Sequence, residues 1–377
     1  MDLPVNPPVA PMLAKAVTAV PPQPDGEPGW SYEPKWDGFR ALIFRDGDEV
    51  EISSRGGKDL ARYFPELVEA AKTELPERVV VDGEVCVPRV VSTGSTGVTS
   101  STGVTSSTGG TSSTDAANPA GGEVWRLDWD SLSQRIHPAA SRIAKLADET
   151  PAMFIGFDAL ALGARDLMGE PFAARRDALR QAIGAAGRLR ISRVTHDARQ
   201  AQDWFTAFEG AGLDGVVAKR LDGRYVPGKR EMLKIKHKRT ADCVVLGYRV
   251  HKSGTGLGSM LLGLYDDAGD VRMVGGSSAF SDTKRVELQE RFEKLRLDPD
   301  AVAPGEVNRW RSSATGEWIP IRRELVVEVA YDQMENDRFR HTVKFLRWRP
   351  DREPSSCTYD QLEVPLTYDV YDVLEGS

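Results

Sequence analysis

The run Lys35-Trp36-Asp37-Gly38-Phe39-Arg40 places a lysine just ahead of an Asp-Gly turn that opens a strand. Taken alone it reads as an exposed loop lysine beside an ordinary turn. Its other reading is a nucleophilic amine. An unperturbed lysine has a pKa of about 10.4, so well under about 1% is neutral at pH 7.5. The second reading therefore demands desolvation or neighbouring cations, such as a metal ion, to displace the proton. Charged residues from elsewhere in the chain must converge on Lys35.

Such residues follow in order. Ser54-Arg55-Gly56 comes after a hairpin, and Asp82-Gly83-Glu84 lies inside an apolar run. Phe157-Asp158 sits in another apolar run, and Asp214-Gly215-Val216-Val217-Ala218-Lys219 carries a charge at each end. In Leu233-Lys234-Ile235-Lys236 the alternation puts both lysines on one face of a strand, a pair suited to a phosphate. Each stretch alone reads as a solvated strand or turn. Together they outline a site of lysines, arginines and two carboxylates, which is what a nucleoside triphosphate with a divalent metal requires. The five histidines, His137, His196, His237, His251 and His341, share no spacing and fall outside these runs. They read as structural or surface residues, which argues against a histidine-based hydrolase.

The elements that must position this site can be read from periodicity. Phe39–Arg45 and Asp48–Ser53 are strand-like around Asp46-Gly47, a strong hairpin signal. Phe64, Leu67, Val68, Ala71 and Leu75 form one helical stripe. Val79–Val87, Phe154–Leu162 and Gly215–Lys219 read as strands, and Pro171–Ala186 and Asp197–Gly210 as helices. Beyond Thr240 come five strand candidates: Cys243–Val250, Met260–Tyr265, Val271–Gly275, Glu324–Tyr331 and Thr342–Arg347. A helix, Ser281–Leu295, stands between the third and fourth, the order of an OB-fold barrel. The expected class is α+β, with a larger domain over 1–239, a barrel over 240–352 and an acidic tail over 353–377. Between Val91 and Gly122 there is no Lys or Arg, and the hexads at Ser95–Ser100, Ser101–Ser106 and Ser107–Ser112 nearly repeat. This tract reads as a flexible insertion in a surface loop.

The chain has 377 residues, 49 Lys+Arg against 56 Asp+Glu, and a net charge of −7. An acidic total argues against indiscriminate polyanion binding but leaves local patches open. Cys86, Cys243 and Cys357 lie far apart, which argues against a structural zinc site and a disulfide framework. No signal peptide or membrane-spanning run is evident, so a cytoplasmic protein away from the membrane is expected. Lys219–Arg239 carries nine Lys/Arg and two Asp/Glu, and Arg338–Arg352 six and one, the second run interleaved with Phe339, Phe345 and Trp348. These stripes read as duplex backbone contacts without base readout. The Gly-rich run His251–Gly258 lacks the Gly-Lys-Ser/Thr order of a phosphate loop and reads as a barrel loop.

Together these runs resemble the covalent nucleotidyltransferase superfamily, in particular bacterial ATP-dependent DNA ligases of the actinobacterial ligase C type. The nucleophile motif KxDGxR is matched at Lys35, Asp37, Gly38 and Arg40. Later motifs are matched at Ser54–Gly56, Asp82–Glu84, Phe157-Asp158, Asp214–Lys219 and Lys234–Lys236, and a last one in part at Arg349-Pro350-Asp351-Arg352. The resemblance implies that Lys35 attacks the α-phosphorus of ATP and carries AMP. Arg40 and Arg55 would contact AMP or phosphates. Glu84 would hold the ribose and help place Mg²⁺ or Mn²⁺, and Phe157 would stack on adenine. Glu33 would help recognise the adenine edge, and Asp214 would help bind metal. Lys219, Arg230, Lys234 and Lys236 would neutralise phosphates, and Asp351 would orient the pyrophosphate. Arg239, Lys252, Lys344, Arg347 and Arg349 are the expected nucleic-acid contacts. The partner implied is nicked duplex DNA, sealed by a monomer in a repair role. Two departures stand out: Asp214 replaces the usual Glu, and Arg352 the usual final Lys. An RNA ligase, a capping guanylyltransferase and a catalytically silent DNA-binding module are the rival readings.

Overall fold

The computed structural model describes residues 1–26, 28–92, 123–297, 318–335, 337–363, 365 and 367–374. The insertion read over Val91–Gly122 falls outside these residues from position 93 onward. The chain divides into two compact units, Met1–Lys236 with Pro365–Ser377, and His237–Val364.

The first unit contains strands β1 (Leu13–Val17), β2 (Trp30–Pro34), β3 (Phe39–Asp46), β4 (Glu49–Ser54), β5 (Arg78–Cys86), β6 (Pro88–Ser92), β7 (Glu123–Leu127), β8 (Met153–Leu162), β9 (Arg165–Asp166), β10 (Leu189–Ile191), β11 (Gly215–Arg220) and β12 (Arg230–Lys236). Its helices are α1 (Pro65–Glu74), α2 (Trp129–Gln134), α3 (Ala140–Glu149), α4 (Phe172–Ala182) and α5 (Ala198–Ala207). One sheet runs β1-β12-β11-β2 and another β10-β8-β5-β3-β4 with β9 on β8, while β6 and β7 form a hairpin. The pairing is antiparallel, except that β1–β12 and β8–β10 are parallel.

Local chemistry explains most boundaries. Gly47 takes φ +61 at the β3–β4 turn, so the Asp-Gly signal marks a real hairpin. Asp197 caps α5 by accepting from Arg199 N, and Gly212 ends the following turn with φ +88. The helix read over Pro171–Ala186 stops at Ala182, because Ile183 is extended and the chain turns at Gly187 (φ +113) to feed β10. One core packs α1 and α4 beneath the larger sheet, around Phe64, Leu67, Phe154 and Leu179. A second gathers Tyr32, Trp36, Ile155, Trp204 and Phe208, joined by Val370, Val373 and Leu374 from near the C-terminus. The sequence left open whether the acidic tail is ordered; Val370, Val373 and Leu374 are buried in the first unit.

The second unit contains β13 (Arg239–Val250), β14 (Leu257–Tyr265), β15 (Val271–Ser277), β16 (Ile319–Pro320), β17 (Val326–Tyr331), β18 (Met334–Glu335), β19 (Arg338–Phe339) and β20 (Lys344–Trp348). Helix α6 (Asp282–Glu293) follows β15 and is capped by Ser281. The main order is β15-β14-β13-β17-β20. With α6 between the third and fourth long strands, this is the OB-fold arrangement. Among the described residues no ladder joins β15 to β20, so the sheet is not closed by strand pairing. A backbone hydrogen bond from Val343 N to Gly276 O (3.0 Å) links the entry of β20 to β15. Leu288 and Phe292 of α6 are fully buried in the apolar core of this unit.

Candidate active site

Strand register puts one wall of the site together. Glu33 pairs with Val217, which pairs with Lys234; Ser31 pairs with Lys219, and Gly215 with Lys236. Cross-strand partners share a face, and so do alternate residues on a strand. Glu33, Lys219, Lys234 and Lys236 therefore project from the same face of the smaller sheet. Lys35 lies just past β2, clamped by the backbone: Lys35 N donates to Gly215 O (2.8 Å), and Asp214 N donates to Lys35 O (3.0 Å). Gly215 needs its own φ of +134 there, and a Cβ would meet Ile235 O at 2.0 Å.

The other wall comes from β3, β5 and β8. Arg40 pairs with Glu84, and Leu42 with Asp82. On β8 the register slips between Asp82↔Asp158 and Gly83↔Gly156, leaving Phe157 as the extra residue of a bulge. Gly38 approaches β5 so closely that a Cβ would meet Val85 O at 2.1 Å. Only glycine fits at that point of the loop after Lys35.

Side chains of the first wall meet at Asp214. Lys35 Nζ donates to Asp214 Oδ2 at 2.5 Å, and Lys236 Nζ reaches the same oxygen at 2.6 Å. Burial works to raise the Asp214 carboxyl, but Lys35 and Lys236 outweigh it and hold its pKa below the ordinary value. Burial and the nearby charges of Lys236, Lys35 and Arg55 lower the pKa of Lys234. Burial lifts the Glu84 carboxyl to about 7, against the pull of Arg40 and Lys35.

Deeper in the same unit, Lys219 Nζ contacts Glu33 Oε1 (3.0 Å) and donates to Phe157 O (2.7 Å). Burial pushes the Glu33 carboxyl up and the Lys219 ammonium down, each opposing the attraction between them. The Arg40 guanidinium lies 4.4 Å from the Phe157 ring centroid, and Lys219 Nζ lies 4.8 Å from it. Arg40 is fixed by a two-pronged bond to Asp82, 2.5 and 2.6 Å, and Tyr225 Oη donates to Asp82 Oδ2 (2.6 Å). Tyr225 Oη also accepts from Met12 N at 3.0 Å.

The structure thus gathers Glu33, Lys35, Arg40, Glu84, Phe157, Asp214, Lys219, Lys234 and Lys236. Arg55 is exposed beside them, its N donating to Arg40 O (3.1 Å), and Arg230 is exposed at the start of β12. Sequence reading gave no role to Asp82 or Tyr225, although Asp82 opens a motif. The signal for Tyr225 was thin: a tyrosine before a Val-Pro-Gly turn that leads into β12. Among the described residues no three His, Cys, Asp or Glu gather as a metal cage. Glu84 keeps partial exposure, whereas Asp214 Oδ2 is taken by two lysines.

Arg239, Lys252, Lys344, Arg347, Arg349 and Asp351 lie in the second unit. Lys252 and Lys344 are exposed. Arg239 is buried with Nε at 2.8 Å from Glu363, and Arg347 Nε is 2.5 Å from Glu328. Arg349 binds both oxygens of Asp242 (2.9 and 2.8 Å) and also Asp351 (2.8 Å), an arrangement that holds Asp351 near a pKa of about 2. The charges of these three arginines are met within their own unit.

Known proteins resemble this chain over its whole length. A family described as "ATP dependent DNA ligase domain" matches residues 11–113 and 117–236, and "ATP dependent DNA ligase C terminal region" matches 253–352. The chain is 56% identical over 380 residues to DNA ligase C1 of Mycolicibacterium smegmatis, covering 100% of this chain and 99% of that protein. It is 46% identical over 396 residues to DNA ligase C of Mycobacterium tuberculosis, covering 100% and 99%. A solved Lig E DNA ligase aligns with TM-score 0.50 at 15% identity, over 90% of this chain and 99% of that one, and shares the fold. The chain belongs to the ATP-dependent DNA ligase family.

Proposed function

We propose that Lys35 is the nucleophile of a three-step nick-sealing reaction. Its Nζ attacks the α-phosphorus of ATP, a P–N bond forms, and the bond to pyrophosphate breaks. The amine proton is lost in this step. AMP then passes to the 5′-phosphate at a nick, and attack by the 3′-hydroxyl expels it. The observation that carries this reading is the convergence of Asp214, Lys236 and Lys234 on Lys35. Nucleotidyl transfer depends on positioning and charge neutralisation rather than on acid–base chemistry.

Asp214 orients the amine until the triphosphate arrives, and Lys234 and Lys236 then offer their charge to the phosphates. Phe157 and Glu33 form the base pocket, with Lys219 and Arg40 fixed around the ring. Arg55 contributes from the rim. Glu84 fits a divalent cation held jointly by one carboxylate and substrate phosphates, the usual way Mg²⁺ is bound. Such a cation would neutralise charge on the phosphates. Asp214, whose Oδ2 holds two lysines, would assist such a cation only indirectly. Asp351 and the exposed Lys252 and Lys344 are assigned to pyrophosphate and duplex backbone contact, in a repair role.

The test is incubation with ATP followed by mass spectrometry. The wild-type protein gains one AMP on the peptide carrying Lys35, and Lys35→Ala gains none while it stays folded and unfolds cooperatively. AMP on Lys35→Ala would remove the assignment, and label from GTP in place of ATP would move the chain to the capping class.

A further inference from the structure

Within the first unit, away from the residues assigned to nucleotidyl transfer, lies a cavity of about 600 Å³. The β6–β7 hairpin, α2, α3 and the Gly187-Arg188 turn line it. Its floor is apolar, with Leu146 and Met153. Its rim bears the cations Arg89, Arg142, Lys145 and Arg188 against the single carboxylate Glu149. Arg89 pairs with Asp128 at 3.3 Å and Lys145 with Glu149 at 3.5 Å, both exposed pairs of little strength. Arg142 and Arg188 are exposed. Arg188 N donates to Glu74 Oε1 (3.1 Å), but among the described residues no ion pair is formed by the guanidinium of either arginine. Trp125 is 38% exposed, unusual for so large an apolar side chain, and meets the Tyr371 ring edge-on at 5.7 Å between centroids.

We propose that this cavity binds a short run of single-stranded nucleic acid, with a base against Trp125 and phosphates on Arg142 and Arg188. Three features favour that ligand. The volume suits a nucleotide-sized segment rather than a duplex. The unpaired cations call for an anion. An exposed indole edged by arginine is the stacking platform that single strands use, with no base readout required. An unpaired end beside a break would dock here while the duplex is held elsewhere. The proposal is independent of the assignment of Lys35.

The test uses fluorescence anisotropy of labelled oligo(dT) across a salt series with the full-length protein. Replacing both Arg142→Ala and Arg188→Ala should make the plot of log affinity against log salt shallower by about 1.4, two contacts at about 0.7 each. Trp125→Leu should weaken binding about five- to hundredfold, one base stack, and leave that slope unchanged. All variants should still gain AMP from ATP, which reports an intact first unit. An oligonucleotide containing 4-thiothymidine should crosslink to the Trp125 or Tyr371 peptide in wild type. Unchanged affinity and slope in the variants, or crosslinks only elsewhere, overturn the proposal. So does displacement of oligo(dT) by a poly-glutamate peptide at equal concentration, which would make this an acidic-peptide site.

Discussion

The Lys35 ammonium and the Asp214 carboxylate stand 2.5 Å apart, and a reciprocal backbone contact at the same place makes their separation hard to change. Asp214 also carries Lys236 on the same oxygen. One carboxylate thus restrains two cations that would otherwise repel. Replacing it frees the Lys35 amine but no longer holds it in one direction.

Asp214→Asn should slow lysyl-adenylate formation about 10- to 100-fold, the usual cost of a misplaced reacting group. Asp214→Glu, which keeps the carboxylate one methylene further out, should retain more activity than Asn. Single-turnover transfer of label from ATP measures both. Equal rates in wild type and Asp214→Asn would show that the contact does not orient Lys35.

Glu84 gives a pH signature. Its folded pKa of about 7 lies above the ordinary carboxylate value, so the folded protein binds more protons than the unfolded chain between those two values. The stability tied to this proton is fully present below pH about 4.5 and is lost as pH rises through about 7. Glu84→Gln should therefore be more stable than wild type at pH 8.5, by about 1–3 kcal/mol, and nearly equal to it at pH 4.5. Urea unfolding in chelator at the two pH values decides this. A pH-independent difference would mean that Glu84 is not held neutral by burial.

Arg40 depends on a chain of contacts that runs to the N-terminal segment: Arg40 to Asp82, Asp82 to Tyr225, and Tyr225 to Met12 N. Tyr225→Phe removes the last two and leaves a backbone donor and a buried carboxylate short of partners. It should cost about 1–3 kcal/mol in urea unfolding. Asp82→Ala leaves the Arg40 charge without its carboxylate and should cost more, about 3–5 kcal/mol. A Tyr225→Phe variant as stable as wild type would show that the hydroxyl carries no structural weight.

What the sequence disclosed follows from the range over which each signal acts. The β3–β4 hairpin was legible because Asp46-Gly47 fixes it locally. Helix α6 was legible because Ser281, Leu288 and Phe292 report its cap and buried side within one segment. β10 was not, since a three-residue strand exists only through its parallel partner β8. The same holds for β1, which is defined by pairing with β12 from over two hundred positions away. Among site residues, Lys234 and Lys236 could be placed on one face by alternation alone. The meeting of Lys236 with Asp214 needed the Gly215↔Lys236 register, which no local pattern encodes. The engagement of Arg239 and Arg349 by Glu363 and Asp242 was equally hidden, because charge counting along a run cannot see a partner from another strand.

The β6–β7 register also sharpens what a deletion of the Ser/Thr/Gly tract should do. Val91 pairs with Val124 and Ser92 with Glu123, so a cut that removes Val91 and Ser92 takes two rungs out of a hairpin beside the Trp125 cavity. Replacing only residues 93–122 with Asn-Gly leaves every rung in place and supplies the turn that a two-residue connection needs. Sealing of a nicked duplex by this variant should stay within about twofold of wild type. The shorter loop should add up to about 2 kcal/mol of stability by lowering the entropy of closure. A gel assay of nick sealing and a urea titration measure the two effects. A large loss of sealing with an intact first unit would show that the tract acts on DNA.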